Sequence, residues 1–352
     1  MCSASNPEQL PPQKDNHLLS LPEDIVLSCL ARVPRNCDLN LAHVCKTLRY
    51  FVSSPELNRF RSLLHKSSLY LCFYEINENG TWTYRWLTLN KTTIEYRLVP
   101  LPCHRYPFLN RSLAVSVGSE IYFLLKYLEY PSDLWILDTR SGKLSQGPSM
   151  KAVLMREAVG VIDGKIYVMG FDRLKWPDKK IQVQVLDTKS KTWKSEGQEK
   201  VPPRTWYSNN ITASLERKIY MVEDGITSVY NPREVEGERM DHMVKNVLYA
   251  CYCSSGLMWF DTKLNVWRRV VSRYAVEEVG RFDGHAVAEY EGKLAVFEFI
   301  NHDRVHNTKS VKMFLFSFHR AGERILGTMD WLGVVATVPF DSQFLHCFGM
   351  II

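Results

Sequence analysis

The chain has 352 residues, of which 45% are hydrophobic and 12% are aromatic. This composition excludes a disordered chain, and the length leaves room for one small and one large domain. The formal charge of +6 comes from 44 basic and 38 acidic residues dispersed along the chain, which is weak evidence for nucleic acid. The longest apolar run, residues 331–340, is far shorter than the roughly 20 residues of a membrane-spanning helix. We therefore expect neither nucleic acid nor a membrane as a partner.

The N-terminal sequence and the cysteines bear on the cellular compartment. No charged leader with an apolar core begins the sequence, so we do not expect secretion. The nine cysteines are an odd number without paired spacing, which favours reduced thiols in the cytoplasm or nucleus over a disulfide framework. Residues 1–17 contain three prolines and no hydrophobic periodicity, and we expect them to be a disordered leader.

The next segment begins with the signals of a helix start. Ser20 and Glu23 have the spacing of a capping box, and Pro22 falls in the first turn, where a missing N–H group costs nothing. Apolar residues then recur at helical spacing until Pro34 ends the pattern. The sequence therefore predicts a first helix that lies between the two prolines.

Two further helices are predicted after it. The helical spacing recurs from Leu41 to Leu48, and Ser54 with Pro55 opens a third helix. About 40 residues of helix bury too little apolar surface to offset chain entropy without a disulfide, a metal or a docked partner. We therefore expect the apolar stripes of this segment to form an interface.

At these residues the segment resembles an F-box, the module by which a substrate receptor docks onto the Skp-type adaptor of a cullin-based ubiquitin ligase. Leu48 stands where the family usually has tryptophan, which keeps the position apolar but smaller. The matching motifs are, in chain order, Leu21-Pro22-Glu23-Asp24-Ile25 for the Leu-Pro start, Val33-Pro34 for the second Leu-Pro, and Val44-Cys45-Lys46 with Arg49 and Ser54-Pro55 for the plant-type ending.

The resemblance implies a Skp-type adaptor, and through it a cullin, as partners. Carried over position by position, the adaptor contacts are expected at Leu21, Pro22, Ile25, Leu30, Val33, Pro34, Val44, Cys45 and Leu48. In so small a module an apolar residue can belong to the interface and to the internal core at once. The alternative interpretation is a three-helix structural cap packed on the rest of the chain.

From about residue 69 onward the chain repeats. An apolar strand that ends in a polar residue recurs six times, and a second apolar strand precedes each copy. The first element occupies residues 86–90, 135–138, 185–187, 229–231, 259–261 and 316–319, and the second occupies residues 68–73, 120–124, 165–169, 218–222, 247–251 and 293–297. A large side chain often follows six positions after the polar residue. Asp163-Gly164 and Glu291-Gly292 stand in two-residue hairpin contexts.

A period near 45 to 50 residues with four short strands per unit is typical of a β-propeller blade. The repeats resemble kelch repeats, with residues 187–193 and 261–267 as the best copies, although only Gly170 remains of the usual paired glycines. The predicted fold is therefore mostly β: a small three-helix F-box over residues 18–57, a helical linker over 58–68, and a six-bladed kelch-type propeller over 69–352. A short fifth unit predicts a trimmed blade, and a long final step predicts an insertion around residues 301–309.

A propeller must also close its ring, because the first and last blades would otherwise expose sheet edges that pair with other chains. Residues 344–350 form an apolar strand candidate without an obvious partner nearby in the sequence. We expect this strand to pair into the first or the last blade.

No catalytic group, cofactor motif or metal site is predicted. His302 and His306 have the spacing of zinc ligands on a helix, but their polar stretch lacks the glutamate of H-E-x-x-H and is interpreted as a loop. Cys251 and Cys253 alternate on a strand, which indicates buried thiols. The basic residues beside Trp267 are interpreted as solvated, and Trp267 itself as part of the repeat.

Three classes of function fit these observations. The F-box resemblance implies a non-catalytic substrate receptor of a ubiquitin ligase, whose propeller loops bind an unknown protein substrate. The alternatives are a kelch enzyme that uses the propeller mouth and a kelch protein that binds cytoskeletal filaments, and neither explains the F-box. Substrate contacts are expected from loops at one end of the propeller, with aromatic anchors at Tyr130, Trp176, Trp206, Tyr207 and Phe282.

Overall fold

The computed structural model describes residues 18–34, 37–63, 67–76, 80, 82–92, 95–101, 112–125, 133–139, 143–152, 154–172, 180–200, 211–215, 218–223, 226–230, 247–252, 256–264, 266–272, 286–303 and 305–351. Helices lie before residue 64 and strands after residue 66. Within these ranges, no helix has the length and apolar character that crossing a membrane requires.

The N-terminal module consists of short helices joined by tight connections. A 3₁₀ turn at Leu18–Ser20 is followed by α1 (Glu23–Arg32), α2 (Asp38–Val44), α3 (Lys46–Ser53) and α4 (Pro55–Leu63). Pro22 is the N-cap of α1 and makes no side-chain capping bond. Val33 is extended ahead of Pro34, and α1 ends there as predicted.

The segment predicted as one second helix is divided at Cys45. This residue is extended, with φ −158° and ψ 165°, and its Sγ accepts a hydrogen bond from the Leu48 N–H at 3.4 Å, so it ends α2 and caps α3. Ser54 Oγ caps α4 by accepting from the Leu57 N–H at 3.2 Å, and Pro55 occupies the first helical position. The helix opened at Pro55 is thus confirmed and becomes the fourth.

A buried ion pair fastens the helices of this module together. Arg61 on α4 and Asp38 at the start of α2 are almost fully buried and form two hydrogen bonds, of 2.6 and 2.8 Å. The same guanidinium donates at 3.4 Å to the carbonyl groups of Leu30 and Val33 at the end of α1. Phe60 also packs on the helical core. The structural module therefore extends past residue 57, into the segment expected to be a linker.

The strands are, in chain order, β1 (Ser67–Ile76), β2 (Trp82–Lys91), β3 (Tyr96–Pro100), β4 (Ser112–Val117), β5 (Glu120–Leu125), β6 (Leu134–Asp138), β7 (Lys143–Gln146), β8 (Leu154–Ile162), β9 (Lys165–Asp172), β10 (Lys180–Asp187), β11 (Thr192–Lys200), β12 (Ile211–Leu215), β13 (Lys218–Glu223), β14 (Ile226–Tyr230), β15 (Tyr249–Tyr252), β16 (Gly256–Asp261), β17 (Val266–Arg269), β18 (Val271–Ser272), β19 (Ala286–Tyr290), β20 (Lys293–Asp303), β21 (Thr308–Ala321), β22 (Arg324–Pro339) and β23 (Gln343–Ile351).

These strands form six sheets, which are the blades of the predicted propeller. Blade 1 has the order β23-β1-β2-β3, blade 2 β4-β5-β6-β7, and blade 3 β8-β9-β10-β11. Blade 4 contains β12-β13-β14, blade 5 β15-β16-β17, and blade 6 β19-β20-β21-β22 with β18 added at its outer edge. Each pair of apolar elements predicted from the repeat lies on neighbouring antiparallel strands of its own blade. The repeat and its six copies are therefore confirmed.

Apolar side chains fill the spaces between neighbouring blades. Separate buried clusters join blades 5 and 6, 6 and 1, 1 and 2, 2 and 3, and 3 and 4. Two of the large residues that follow six positions after the polar residue lie at these boundaries: Tyr96 contacts Tyr290 and Trp331 of blade 6, and the Trp193 Nε1–H donates at 2.7 Å to the Pro148 carbonyl, beyond the end of blade 2. These two aromatic residues therefore belong to the core between blades.

The C-terminal strand closes the ring as predicted. β23 pairs antiparallel with β1 in blade 1 and lies against β19 of blade 6 and β4 of blade 2. Its side chains alternate: Phe344 and Cys347 pack on the cluster shared with blade 6, and Leu345 and Phe348 pack on the cluster shared with blade 2. A Cβ atom at Gly349 would lie 1.9 Å from the Glu289 carbonyl oxygen, so the two backbones approach as closely as glycine allows.

The antiparallel strand order gives the propeller two different ends. One end carries tight turns, including Asp163-Gly164 and Glu291-Gly292, whose four residues all have positive φ, as a type I′ hairpin turn requires. We call it the turn end. The opposite end, which we call the loop end, carries the connections β1–β2, β5–β6, β9–β10 and β20–β21 and the crossovers between blades. Since β1 begins at the turn end, the helical module joins the propeller there.

We predict that Gly349→Ala opens the closing contact. The added methyl group must displace the backbone at Glu289, so the free energy of unfolding should fall by about 1–3 kcal/mol. Chemical denaturation followed by circular dichroism measures this change, with Gln343→Ala on the exposed side of the same strand as the control. Deletion of residues 344–352 should have the larger effect of making the protein insoluble, and a well-folded truncation would refute the closing role.

We also predict that Arg61→Met unfolds the helical module, because it leaves the Asp38 carboxylate buried without its partner. Removing one member of such a pair costs about 3–5 kcal/mol. Limited proteolysis should then cut residues 18–63 while the propeller stays resistant. The double variant Arg61→Met/Asp38→Leu should recover most of the protection, and equal cleavage of the single variant and the wild type would contradict the assigned role.

Candidate functional site

The helical module exposes several apolar side chains among the predicted adaptor contacts. Val44 is 70% exposed and Ile25 is 48% exposed, and Leu21 is similarly accessible. Pro22 and Pro34 are exposed as well, at the two ends of α1. These apolar side chains are therefore available for contact with a partner.

Four other predicted contacts lie deeper in the module. Leu30 is 2% exposed and Leu48 is also buried, because both pack in the core between the helices. Cys45 and Val33 are half-buried, at the start of α3 and the end of α1. In the isolated chain Leu30 and Leu48 therefore support the module from within, since a partner cannot reach them without a rearrangement.

Sequence reasoning missed three exposed apolar residues of the same module. Leu18 and Leu19 lie in the 3₁₀ turn just before the first motif, and Tyr50 lies on α3. The signal for Tyr50 was present, because Leu48, Phe51 and Val52 define the buried stripe of α3 and Tyr50 falls outside it. These three residues add to the exposed apolar side chains of the module.

The second candidate surface is the loop end of the propeller. The expected substrate contacts Tyr130, Trp176, Trp206, Tyr207 and Phe282 lie outside the described residues. They belong to the connections β5–β6, β9–β10, β11–β12 and β18–β19. The eight strand ends that these connections join lie at the loop end, because neighbouring strands within the blades are antiparallel and the added strand β18 runs parallel to β22. The four connections therefore begin and end at the same end of the propeller.

A polar cluster at the turn end joins blades 2 and 3. The Lys191 ammonium group donates to Glu120 at 2.8 Å and to the Tyr122 hydroxyl at 2.6 Å, and it lies 4.7 Å from the centroid of the Tyr122 ring. Burial, followed by the hydrogen bond with Glu120, raises the pKa of Tyr122. A phenol held in its protonated form suits a structural hydrogen bond and does not suit a general base.

The remaining chemical candidates have structural roles where they are described. His302 lies within β20 and not in a loop, because the strand continues to Asp303, and His306 Nδ1 bonds Asp303 Oδ2 at 2.7 Å. Trp267 packs on Phe260 in blade 5. Cys251 lies on β15, as predicted, and Cys253 lies outside the described residues. In the part of the chain that the structure describes, no three potential ligands cluster as a metal would need.

Arg268, one of the basic residues next to Trp267, is engaged by neighbouring groups. Its guanidinium lies 3.3 Å from Asp261 Oδ2 and 5.8 Å from the centroid of the Trp259 ring, and it donates to the Glu323 carbonyl at 3.0 Å. It therefore links blade 5 to blade 6. Arg268, interpreted from the sequence as solvated, is therefore part of the packing between these blades.

Known proteins match both parts of the chain. The F-box domain model matches residues 18–70, and the model described as the FKB95 kelch-repeats domain matches residues 76–336. One F-box/kelch-repeat protein of Arabidopsis thaliana is 42% identical over 370 residues, which cover 94% of this chain and 96% of that protein. Another from the same plant is 46% identical over 244 residues, which cover 64% of this chain and 91% of that protein.

Among solved structures, that of YjhT gives a TM-score of 0.41 at 8% sequence identity, covering 72% of this chain and 96% of that one. The fold assignment rests instead on the strand pairing described above. Family models match both halves of the sequence, and the alignment with the first relative spans nearly all of both proteins. The chain therefore belongs to the F-box/kelch-repeat family.

Proposed function

We propose that the protein is a substrate-recognition subunit of an SCF-type ubiquitin ligase. An F-box joined to kelch repeats supports a substrate-adaptor role in such a ligase in general, and an F-box implies a Skp-type adaptor as its partner. The single observation that supports the docking step is the exposure of the apolar side chains of Leu21, Ile25 and Val44 on so small a helical module. The adaptor would bring a cullin with it.

In this mechanism the chain itself performs no chemistry. It holds a target protein and a ubiquitin-loaded enzyme on one scaffold, which raises the effective concentration of the target's lysines near the reactive thioester. The helical module joins the propeller at the turn end, and the target would bind at the loop end. The two partners therefore occupy opposite ends of the propeller and do not compete for surface.

The target is proposed to contact the four loop-end connections, with the aromatic residues named above as anchors. Loops at one end of a rigid propeller can vary in sequence without disturbing the sheets, which suits recognition of one particular protein. We place the complex in the cytoplasm or the nucleus, where the nine cysteines would stay reduced.

We predict that Ile25→Asp/Val44→Asp abolishes adaptor binding without unfolding the chain. Both side chains are exposed, so a carboxylate costs the free protein little, whereas burying it against an apolar partner costs several kcal/mol. Co-purification of the full chain with a Skp-type adaptor should show stoichiometric capture by the wild type and at least a tenfold loss for the double variant.

Two comparisons keep this experiment specific. Asn40→Asp/Thr47→Asp places the same charges at exposed polar positions of α2 and α3 and should leave capture unchanged. Leu30→Ala should lose capture together with about 2–5 kcal/mol of stability, because Leu30 belongs to the helical core. If well-folded wild-type protein captures no adaptor, the module is a structural cap. An enzyme or filament-binding role then becomes the leading interpretation of the propeller.

A further inference from the structure

Three chain segments meet at the loop end, on the seam where blade 6 contacts blade 1. The turn between β20 and β21 is bonded to the crossover that follows β22, through the Phe340 N–H and the Asn307 carbonyl at 2.9 Å. That crossover is bonded to the end of β1, through the Ile76 N–H and Asp341 Oδ2 at 2.8 Å. The segment predicted as an insertion is thus an extension of β20 and β21 that is attached to its neighbours.

The turn at the tip of this hairpin is held by one side chain. Asp303 Oδ1 accepts from the N–H groups of Val305 and His306 at 2.9 and 3.0 Å, and Asp303 Oδ2 contacts the His306 ring. The bond from the His306 side chain, followed by the backbone bonds, lowers the pKa of Asp303. Val305 is left 89% exposed at the tip, and Ile76 is an exposed apolar residue on the neighbouring segment. The tip therefore presents an apolar side chain on a preformed turn.

Lys309 lies just below this tip and is unusual for a lysine. Its side chain is 7% exposed, and its ammonium group lies 3.7 Å from the centroid of the Phe299 ring. Phe299 stacks in turn on Phe344 of the closing strand, at 4.3 Å between centroids. Across the described residues, no hydrogen bond or ion pair engages this ammonium group. Burial lowers the pKa of Lys309, and the charge of Asp341 opposes that shift only in part.

Three carboxylates of this seam are engaged by other groups. Glu75 is buried and bonds the Ser342 hydroxyl at 2.9 Å and the Arg85 guanidinium at 3.1 Å. Asp341 accepts from the Ile76 N–H, and Asp303 holds the turn. Lys309 is therefore a mostly buried lysine whose ammonium group has no direct counter-ion among the described residues of the seam.

We propose that Lys309, Val305 and Ile76 form a recognition site for an acidic segment of the target protein. The side-chain carboxylate of an Asp or Glu residue would pair with the Lys309 ammonium, and apolar neighbours in the segment would contact Val305 and Ile76. Most of the lysine side chain is already buried in the folded protein, so an incoming carboxylate gains the attraction at a smaller desolvation cost than at a fully exposed lysine. The inference rests on the proposed function, because it assigns part of the target-binding surface.

The test is fluorescence anisotropy with two labelled nonapeptides, blocked at both ends so that one side chain supplies the charge. Gly-Ser-Ala-Val-Glu-Val-Ala-Ser-Gly should bind the full chain at least tenfold more tightly than the same peptide with Gln in place of Glu. Lys309→Met should abolish this preference, since methionine keeps the contact with Phe299 but removes the charge. Equal anisotropy with both peptides, including no binding of either, would overturn the proposal.

Two further variants refine the result. Lys312→Met is the matched control, because Lys312 is on the same strand but faces Glu298 at 3.6 Å and the ring of Phe314, and it should keep the tenfold preference. Asp341→Asn removes the competing charge near Lys309 and should tighten binding of the Glu peptide several-fold. A Lys309→Met protein that still prefers the Glu peptide would also overturn the assignment.

Adaptor capture separates this inference from the proposed function. Lys309→Met should co-purify with the Skp-type adaptor as the wild type does, because the lysine lies at the end of the propeller opposite the helical module. If the adaptor is captured and the Glu peptide shows no preference, the acidic-segment site fails alone. If the adaptor is not captured, the proposed function fails, whatever the peptides do.

Discussion

The pairing of β23 with β1 is the contact on which the propeller depends. A ring of sheets leaves its first and last blades open unless they are joined, and open sheet edges pair with other chains. β23 is hydrogen-bonded within blade 1, and its two faces pack on clusters shared with blades 6 and 2. The glycine at position 349 lets its backbone approach Glu289. The loop-end seam that holds Lys309 forms through the same closure, since Phe344 of β23 stacks on Phe299.

The helical module solves a different problem, because it must stay folded while it leaves apolar side chains in water. Its core is small, and the buried pair of Arg61 and Asp38 joins α4 to α2 and, through two carbonyl groups, to α1. With the helices fixed in this way, Ile25 and Val44 can remain exposed without collapsing inward. The buried ion pair therefore supports the exposed apolar side chains of the module from within.

Much of the fold could be predicted because its repeat has a physical cause. In two copies of the repeat the strand ends in an aspartate, Asp187 or Asp261. Each aspartate accepts hydrogen bonds from the backbone of the following turn, so the polar residue in the repeat pattern marks the point where the chain reverses. Three features could not be predicted. The division at Cys45 lies within an unbroken apolar spacing, and Arg61 meets Asp38 across 23 residues. Residues 301–303 read as a polar loop but are strand, because the lengthened β20–β21 hairpin carries the pairing past its apolar part.

The position of β23 in the chain also sets the order in which the protein can be completed during synthesis. The helical module uses contacts within its first 63 residues and can fold soon after it leaves the ribosome, whereas Ser67 pairs with a residue about 280 positions later. Since synthesis proceeds at about 5–20 residues per second, the edge of blade 1 stays unpaired for roughly 15 to 60 seconds before its partner strand is made. During translation the nascent protein therefore combines a finished N-terminal module with an unclosed sheet, the state in which chaperone protection matters most.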